Sequence, residues 1–204
     1  MKNYIIINNQ KIELTEEQAR QIAEAYGVRQ KQLAEYAVGD TVKIGNHELI
    51  ILDNLEDGTT LLLRKEHLPK LMTFGKNNNY DGSDADAACN AFADEIAAIV
   101  GEENIVLHEV DLTADDGLKD YGKIQRKASL RTANLQRKYV EILDKYRLDV
   151  WEWLATAHST PTHSITTLVK CVSPSGYFDY FNCNCDDIGV RPFCILKSNI
   201  FVSK

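Results

Sequence analysis

The chain lacks several features that would assign it to a class of protein at once. No apolar run approaches the roughly 18 residues that a membrane-spanning helix needs, and the first residues contain only three consecutive aliphatic side chains, too few for the core of a signal peptide. Neither the Gly-x-Gly-x-x-Gly pattern nor the Walker pattern occurs, so nothing supports nucleotide binding of those kinds. We therefore expect a protein with no contact to a membrane and no export by the general secretory route.

Positive charge is also scarce. The 204 residues include 23 Lys and Arg against 30 Asp and Glu, a formal net charge of −7. General nucleic-acid binders carry a net basic footprint, so we expect no direct contact with nucleic acid. Apolar residues make up 44% of the chain and charged residues 26%, a balance typical of a globular domain rather than of disorder.

The cysteines lack the even number and regular spacing of a disulfide framework. There are five: Cys89, Cys171, Cys183, Cys185 and Cys194. Reduced thiols in a cytosol are the simplest interpretation. Four of them fall in predicted strands, where Cys behaves as a small buried hydrophobe. Cys183-x-Cys185 also lacks the two-residue gap of the usual zinc knuckles.

Oxygen donors gather near the end of the chain, where Asn182, Asn184, Asp186 and Asp187 could suit calcium. The Glu-Pro-Asn, Gln-Pro-Asp and Trp-Asn-Asp patterns of calcium-dependent lectins do not occur here. A turn rich in Asn and Asp is the commoner explanation. We therefore expect no metal ion and no other cofactor.

Residues 1–38 form a small first unit. Two short β-prone runs, 4–8 and 11–14, predict a hairpin, and Thr15 with Gln18 forms a capping box that begins a helix. That helix should bury Ala19, Ile22, Ala23 and Tyr26 and end at Gly27, and a second short helix should run from Arg29 to Tyr36. The unit is too small to be stable alone, so we expect it to dock on the rest or to form a homodimer.

Residues 39–204 predict an α+β domain. The interior elements expected are a meander over 41–65, a helix from Ser83 to about Val100, a loop over 107–121 and a helix over 133–146. The runs 49–52 and 61–63 are apolar without alternation, which predicts central strands covered on both faces. Later strands are expected at 151–154, 165–172 and 188–202.

Charge is segregated along this domain. Residues 81–120 hold twelve acids and one base, whereas residues 123–147 hold eight bases and two acids. The simpler interpretation is that the basic segment lies near the acidic tract within one fold. The alternative is that one of the two segments is a docking face for a partner of complementary charge.

Four short motifs occur in the last third of the chain. They are, in chain order, Trp151-x-Trp153-Leu154-Ala155-Thr156, Val172-Ser173-x-x-Gly176, Gly189-Val190-Arg191-Pro192 and Leu196-Lys197-Ser198-x-Ile200. These motifs resemble those of a family of uncharacterised domains common in Firmicutes and their phages and prophages. The resemblance covers residues 39–204. Glu152 and the Ala155-Thr156-Ala157 run depart from the family's Trp-Trp-Leu-Arg-Ser/Thr-Pro segment.

The resemblance implies the architecture of the C-type-lectin-like and formylglycine-generating superfamily, with a mixed sheet, two main helices and long loops on one face. Arg191 would then be a buried structural arginine that bonds loop carbonyls or a carboxylate. It also implies a protein that is cytoplasmic in a bacterial host or associated with a virion.

The loops 156–164 and 173–187 combine aromatic side chains with Asn, Ser and Asp, a composition typical of antibody-like contact loops. Our leading hypothesis is a non-enzymatic binding protein of phage or prophage origin that presents these loops to a protein partner. The expected contact residues are Thr160, Thr162, His163, Tyr177, Phe178, Tyr180, Phe181, Asn182, Asn184 and Asp186. Strand alternation would place one set of the aromatic residues in the core.

Two alternatives stay open. The acidic tract 81–120 could make the chain a small phage inhibitor of a bacterial defence nuclease, of the anti-CRISPR type. A Cys/His enzyme of the formylglycine-generating type would instead use the late cysteines with His158 and His163.

Overall fold

The computed structural model describes residues 3–7, 10–15, 17–18, 21–22 and 30–203, and over these residues the protein has an α+β fold with antiparallel strand pairing. The strands are β1 Asn3–Ile7, β2 Gln10–Leu14, β3 Gln30–Gln32, β4 Thr41–Ile44, β5 His47–Asn54, β6 Thr59–Arg64, β7 Ile105–Val106, β8 His108–Asp111, β9 Lys123–Arg126, β10 Ala128–Leu130, β11 Glu152–Ala157, β12 Leu168–Val172, β13 Phe178–Asn182, β14 Pro192–Lys197 and β15 Phe201–Ser203.

The described helices are short except for the first. They are α1 Asp84–Val100, α2 Ala133–Lys138 and α3 Val140–Leu143. Residues 17–18 and 21–22 are also helical, and short 3-10 turns lie at Leu33–Glu35, Glu102–Asn104, Asp144–Tyr146 and Pro161–His163. In the described part of the chain, no helix is both long and apolar enough to cross a membrane.

The large sheet has the strand order β10-β14-β6-β5-β4-β15-β3, with β7 also pairing to β14. One face, which includes Leu49, Ile51 and Leu62, packs against Phe92 and Ile96 of α1. The opposite face contributes Ile50, Leu52, Leu61 and Leu63 to a second cluster with Tyr139 and Leu143. The prediction of central strands covered on both faces is therefore confirmed.

Helix α1 begins as predicted, because the Ser83 hydroxyl accepts a hydrogen bond from the Asp86 N–H at 3.0 Å. It ends at Gly101, whose φ of +94° suits a residue without a Cβ. Helical spacing of the apolar residues predicts that Cys89, Phe92, Ile96, Ile99 and Val100 are buried. This prediction is correct except at Ile99, which is 47% exposed.

The single helix predicted over 133–146 is wrong. Helix α2 ends at Tyr139, which has φ −108° and ψ 20°, and α3 and a 3-10 turn follow. Tyr139 is buried, and its hydroxyl donates to Asp53 Oδ2 at 2.7 Å. Tertiary contacts of this tyrosine compensate for the loss of a continuous helical ladder.

Residues 30–36 also differ from the prediction. Instead of a helix, they form β3, which pairs with β15, and a 3-10 turn whose Leu33 is fully buried. Tyr36 is buried too, and its hydroxyl donates to the Val202 carbonyl. The unpaired edge of β15 thus outweighs local helix propensity. These residues dock on the rest of the chain, and dimerisation through residues 1–38 stays a prediction.

The first hairpin is confirmed, since β1 pairs with β2 from Asn3↔Leu14 to Ile7↔Gln10. The capping box is confirmed as well: the Gln18 N–H donates to Thr15 Oγ1 at 3.2 Å and the Thr15 N–H donates to Gln18 Oε1 at 2.9 Å. Ile22 is half-buried. The predicted positions of Ala19, Ala23, Tyr26, Gly27 and Arg29 lie outside the described residues.

Two further expectations about strands need correction. The loop predicted over 107–121 contains β8, which pairs with β9 and buries His108 and Val110 in alternation. The single strand predicted over 188–202 is divided into β14 and β15 by the turn around residues 198–200. A separate three-stranded sheet, β11-β12-β13, carries the segments predicted to bind a partner.

Candidate functional surface

Two exposed aromatic side chains in the last third of the chain lie on and beside β13, the third strand of the smaller sheet. Tyr177 follows the β12–β13 turn and is 74% exposed, and Tyr180 is 45% exposed. The turn itself requires Gly176 at φ +88°, where a Cβ would also meet the guanidinium of Arg147.

The ring of Tyr180 is held in place. It stacks on the His158 imidazole with the ring centroids 4.3 Å apart and 24° between the planes. On the neighbouring strand, Lys170 Nζ lies 5.8 Å from the Tyr180 ring centroid and 3.3 Å from Asp115 Oδ2. A charge-paired lysine and a stacked imidazole therefore fix an aromatic side chain that remains open to solvent.

The two phenylalanines of β13 are half-buried, on opposite faces of the strand. Phe181 packs edge-to-face against Trp151, with 4.8 Å between the ring centroids. Phe178 packs against a small cluster that contains Leu154 and Val172, and the Arg137 guanidinium carbon lies 4.9 Å from its ring centroid. Neither face of β13 is purely core, so the predicted division into a core set and an exposed set holds only in part.

The second predicted loop, residues 156–164, is fastened to the acidic tract. Asp120 Oδ2 accepts hydrogen bonds from the Thr162 N–H at 3.1 Å and from its hydroxyl at 2.7 Å. Asp116 lies 3.0 Å from His163 Nδ1. Thr162 and His163 are exposed, as expected for contact residues, but Thr160 is fully buried and offers no surface to a partner. The prediction for Thr160 is therefore wrong.

Ser159, His163 and Asp116 have the residue types of a catalytic triad but not its arrangement. In a triad the histidine lies between the nucleophile and the acid. Here the Ser159 hydroxyl donates directly to Asp116 Oδ2, the same oxygen that contacts His163 Nδ1. Ser159 is also 2% exposed, so a substrate could not reach its oxygen. The hydrogen bond from Ser159 lowers the pKa of Asp116, which keeps the Asp116 carboxylate ionised.

Asn78 braces the same loop from beneath. This fully buried residue donates from its side-chain amide to the carbonyls of Ser159, Ile165 and Leu168, at 2.9, 3.3 and 3.1 Å. Its side-chain oxygen accepts the Tyr121 hydroxyl. This amide supplies the donor for the carbonyls of Ser159 and Ile165 and a second donor for the Leu168 carbonyl, which also accepts the His158 N–H at 2.9 Å.

The acidic tract is partly neutralised inside the fold. Arg126 Nη2 lies 2.6 Å from Asp81 Oδ1 and 2.7 Å from Asp86 Oδ2. Further pairs join the two segments: Lys123–Glu109, Lys127–Glu102 and Arg137–Asp115. The prediction that the basic segment lies near the acidic tract is confirmed.

Most of the thiols are shielded from solvent. All five cysteines are free, and four are buried. Burial raises the pKa of Cys89, Cys171 and Cys194 to about 12, so these side chains stay protonated. Cys183 and Cys185 lie in the turn after β13 rather than in a strand as predicted. Among the described residues, no group of three His, Cys, Asp or Glu side chains is arranged to hold a metal ion.

The predicted oxygen donors form a local turn. The Asn184 N–H donates to the Asn182 side-chain oxygen at 3.3 Å. Asn182, Asn184 and Asp186 are all exposed and remain available to a partner. This hydrogen bond is typical of an Asx turn, and a turn rich in Asn and Asp is the structure that the sequence predicted here in preference to a calcium site.

One buried charged cluster has no counterpart in the sequence predictions beyond Arg191. Glu152 accepts from Arg131 Nη2 at 2.9 Å and lies 3.4 Å from Arg191 Nη1. Arg131 also donates to Gln136, and Arg191 donates from Nε to the Arg64 carbonyl at 2.8 Å. The structural role predicted for Arg191 is confirmed. A charged residue between two tryptophans, Glu152, is the sequence feature from which the rest of this buried cluster could have been predicted.

Proximity to the two arginines lowers the pKa of Glu152 against the opposing effect of its burial. Burial lowers the pKa of Arg191 to about 10. Two guanidinium groups thus share one carboxylate at the point where β10, β11 and the Gly189–Pro192 segment meet. The cluster joins the small sheet to the large one.

Comparison with known proteins finds no family model, no curated protein and no solved structure that matches this chain. The resemblance to the Firmicutes and phage family therefore stays a prediction.

Proposed function

We propose that this chain is a non-enzymatic binding protein that presents the loops 156–164 and 173–187 to a protein partner. The observation that carries the proposal is the exposed aromatic pair Tyr177 and Tyr180. Tyrosine supplies a large amphipathic contact area at a small cost in side-chain entropy, and buried tyrosines are frequent hot spots of interfaces.

Pre-organisation supports the same conclusion. Tyr180 is stacked on His158, and the loop around Thr162 is fixed by Asp116, Asp120 and Asn78. A loop that is already ordered loses less conformational entropy when it binds. The exposed polar groups of Thr162, His163, Asn182, Asn184 and Asp186 would surround the aromatic pair as an adaptable rim.

The scaffold we propose is C-type-lectin-like, in a protein of phage or prophage origin. In its support, the exposed residues Tyr177, Asn184 and Asp186 lie outside the strands and helices, and Arg191 of the Gly-Val-Arg-Pro segment is a buried structural residue. The first helix packs on one face of the large sheet and the α2–α3 pair packs on the other.

The test compares three baits in a lysate of a Firmicutes host: the unchanged chain, the Tyr177→Ala/Tyr180→Ala variant and a Phe201→Ala control. Phe201 is 58% exposed but lies on β15, outside both loops. A specific partner should be retained by the unchanged chain and by the control. The double variant should lose it, with affinity reduced at least tenfold in a titration of the purified pair, since hot-spot residues cost about 2 kcal/mol or more each.

Folding of each bait is checked by its urea unfolding midpoint, which these exposed substitutions should leave nearly unchanged. Equal retention by the double variant and the control would overturn the proposal. Retention of no specific protein by the unchanged chain would count against it as well.

A further inference from the structure

Strand β13 lies at the edge of the smaller sheet. The order β11-β12-β13 leaves its outer side without a neighbouring strand among the described residues. The unpaired edge of β13 ends at Asn182. Beyond it, the Cys183 carbonyl accepts the Phe74 and Gly75 N–H groups, and the Asn182 carbonyl accepts the Cys185 N–H.

The hydrogen-bond pattern shows which groups face outward. The Ser173 N–H bonds the Tyr177 carbonyl, and the Cys183 N–H bonds the Thr167 carbonyl. Between these two pairs the register runs without a shift from Val172↔Phe178 to Leu168↔Asn182. Because hydrogen-bonded and non-bonded pairs alternate in an antiparallel ladder, the backbone groups of Phe178, Tyr180 and Asn182 point away from β12.

This edge has little protection. Natural edge strands are usually blunted by lysine, proline, a bulge or a covering segment. β13 has no lysine, no proline and no register shift against β12. The one device present is Asp179, whose Oδ1 accepts the outward N–H of Tyr180 at 2.9 Å. A side-chain cap of this kind can be displaced by a new strand, which would free the carboxylate.

Charge indicates what such a strand would carry. Residues 176–190 contain three acids, Asp179, Asp186 and Asp187, and neither Lys nor Arg. All three acids are exposed. A segment bearing Lys or Arg would pair with these carboxylates, including the one released from Tyr180.

We propose that the partner adds an extended, Lys- or Arg-bearing segment as a fourth strand beside β13. The inference rests on the proposed function and specifies the binding mode: backbone hydrogen bonds to Phe178, Tyr180 and Asn182, with Tyr177 and Tyr180 against alternate side chains of the added strand.

The probes are two capped peptides, one alternating Lys with Val and one alternating Glu with Val, added at about 1 mM, which saturates sites with dissociation constants well below that value. Backbone amide hydrogen exchange is followed residue by residue by NMR. With the Lys peptide, exchange at Phe178, Tyr180 and Asn182 should slow at least tenfold. Exchange at Asp179 and Phe181, which already bond to β12, should change little.

Equal protection by the Glu peptide, or no alternating protection with the Lys peptide, would overturn the inference. Two variants isolate the contribution of the backbone hydrogen bonds. Tyr180→Ala and Tyr180→Pro both remove the aromatic ring, but only the proline also removes the outward N–H of residue 180. Neither variant removes a hydrogen bond between β13 and β12. Peptide-induced protection at Phe178 should persist in the Ala variant and be lost in the Pro variant. Unaltered exchange at Asp179 and Phe181 in the free variants verifies the fold.

The two proposals can fail separately. If Tyr177→Ala/Tyr180→Ala abolishes partner retention but the Lys peptide protects no alternating amides, aromatic binding stands and strand addition is wrong. If the peptide protects β13 while partner retention ignores the tyrosines, the proposed aromatic surface is wrong.

Discussion

Glu152→Gln should destabilise the protein more than any other conservative loss of a single charge described above. Two buried guanidinium groups, those of Arg131 and Arg191, share this one carboxylate, and a glutamine of the same shape removes the charge alone. Breaking a buried ion pair by removing one partner typically costs about 3–5 kcal/mol. For a domain of this size that corresponds to a fall in Tm of roughly 10 °C.

The free energy of unfolding is measured by urea titration, with m compared between variants to verify that the same surface is exposed on unfolding. Glu109→Gln is the matched control, because its pair with Lys123 lies at the surface, with both side chains about half exposed. Solvent screens that exposed pair, so its loss should change the free energy of unfolding little. A loss for Glu152→Gln no larger than the control's would refute the view that the carboxylate holds the two arginines in place.

Two further outcomes follow from buried polar groups. Burial lowers the pKa of His108 to about 4, so between pH 6.5 and pH 4 this histidine is protonated in the unfolded chain but neutral in the folded protein. The free energy of unfolding should therefore fall by about 3 kcal/mol as the pH is lowered through that range. His108→Gln should remove this part of the pH dependence, measured by urea titrations at each pH. Asn78→Ala removes the side-chain donor of the Ser159 and Ile165 carbonyls, so it should cost about 3 kcal/mol and accelerate amide exchange near Ser159. Unchanged exchange there would show that Asn78 does not hold the loop in place.

Features governed by local chemistry could be predicted from the sequence. The capping box at Thr15, the Ser83 cap of α1 and the buried strands β5 and β6 depend on neighbours within a few residues or on continuous apolar runs. The segregated charges also predicted their own pairing, because Arg126 and Asp86 come from opposite tracts.

Features that depend on residues far apart in the sequence could not be predicted from it. Residues 30–32 form a strand because β15, late in the chain, offers an edge. The residues around Thr160 have a composition typical of a surface loop, but Thr160 itself is fully buried in the fold. In the candidate surface, the sequence identified the exposed tyrosines, whereas the stack on His158 and the Asn78 brace required the fold.

The strand order has a consequence for biosynthesis. β14 lies between β10 and β6, yet it follows β6 by roughly 130 residues in the chain, and β15 lies between β4 and β3. At translation rates of about 5–20 residues per second, the apolar edge of β6 waits on the order of ten seconds for its neighbour. The large sheet therefore closes only after β14 and β15 have been synthesised.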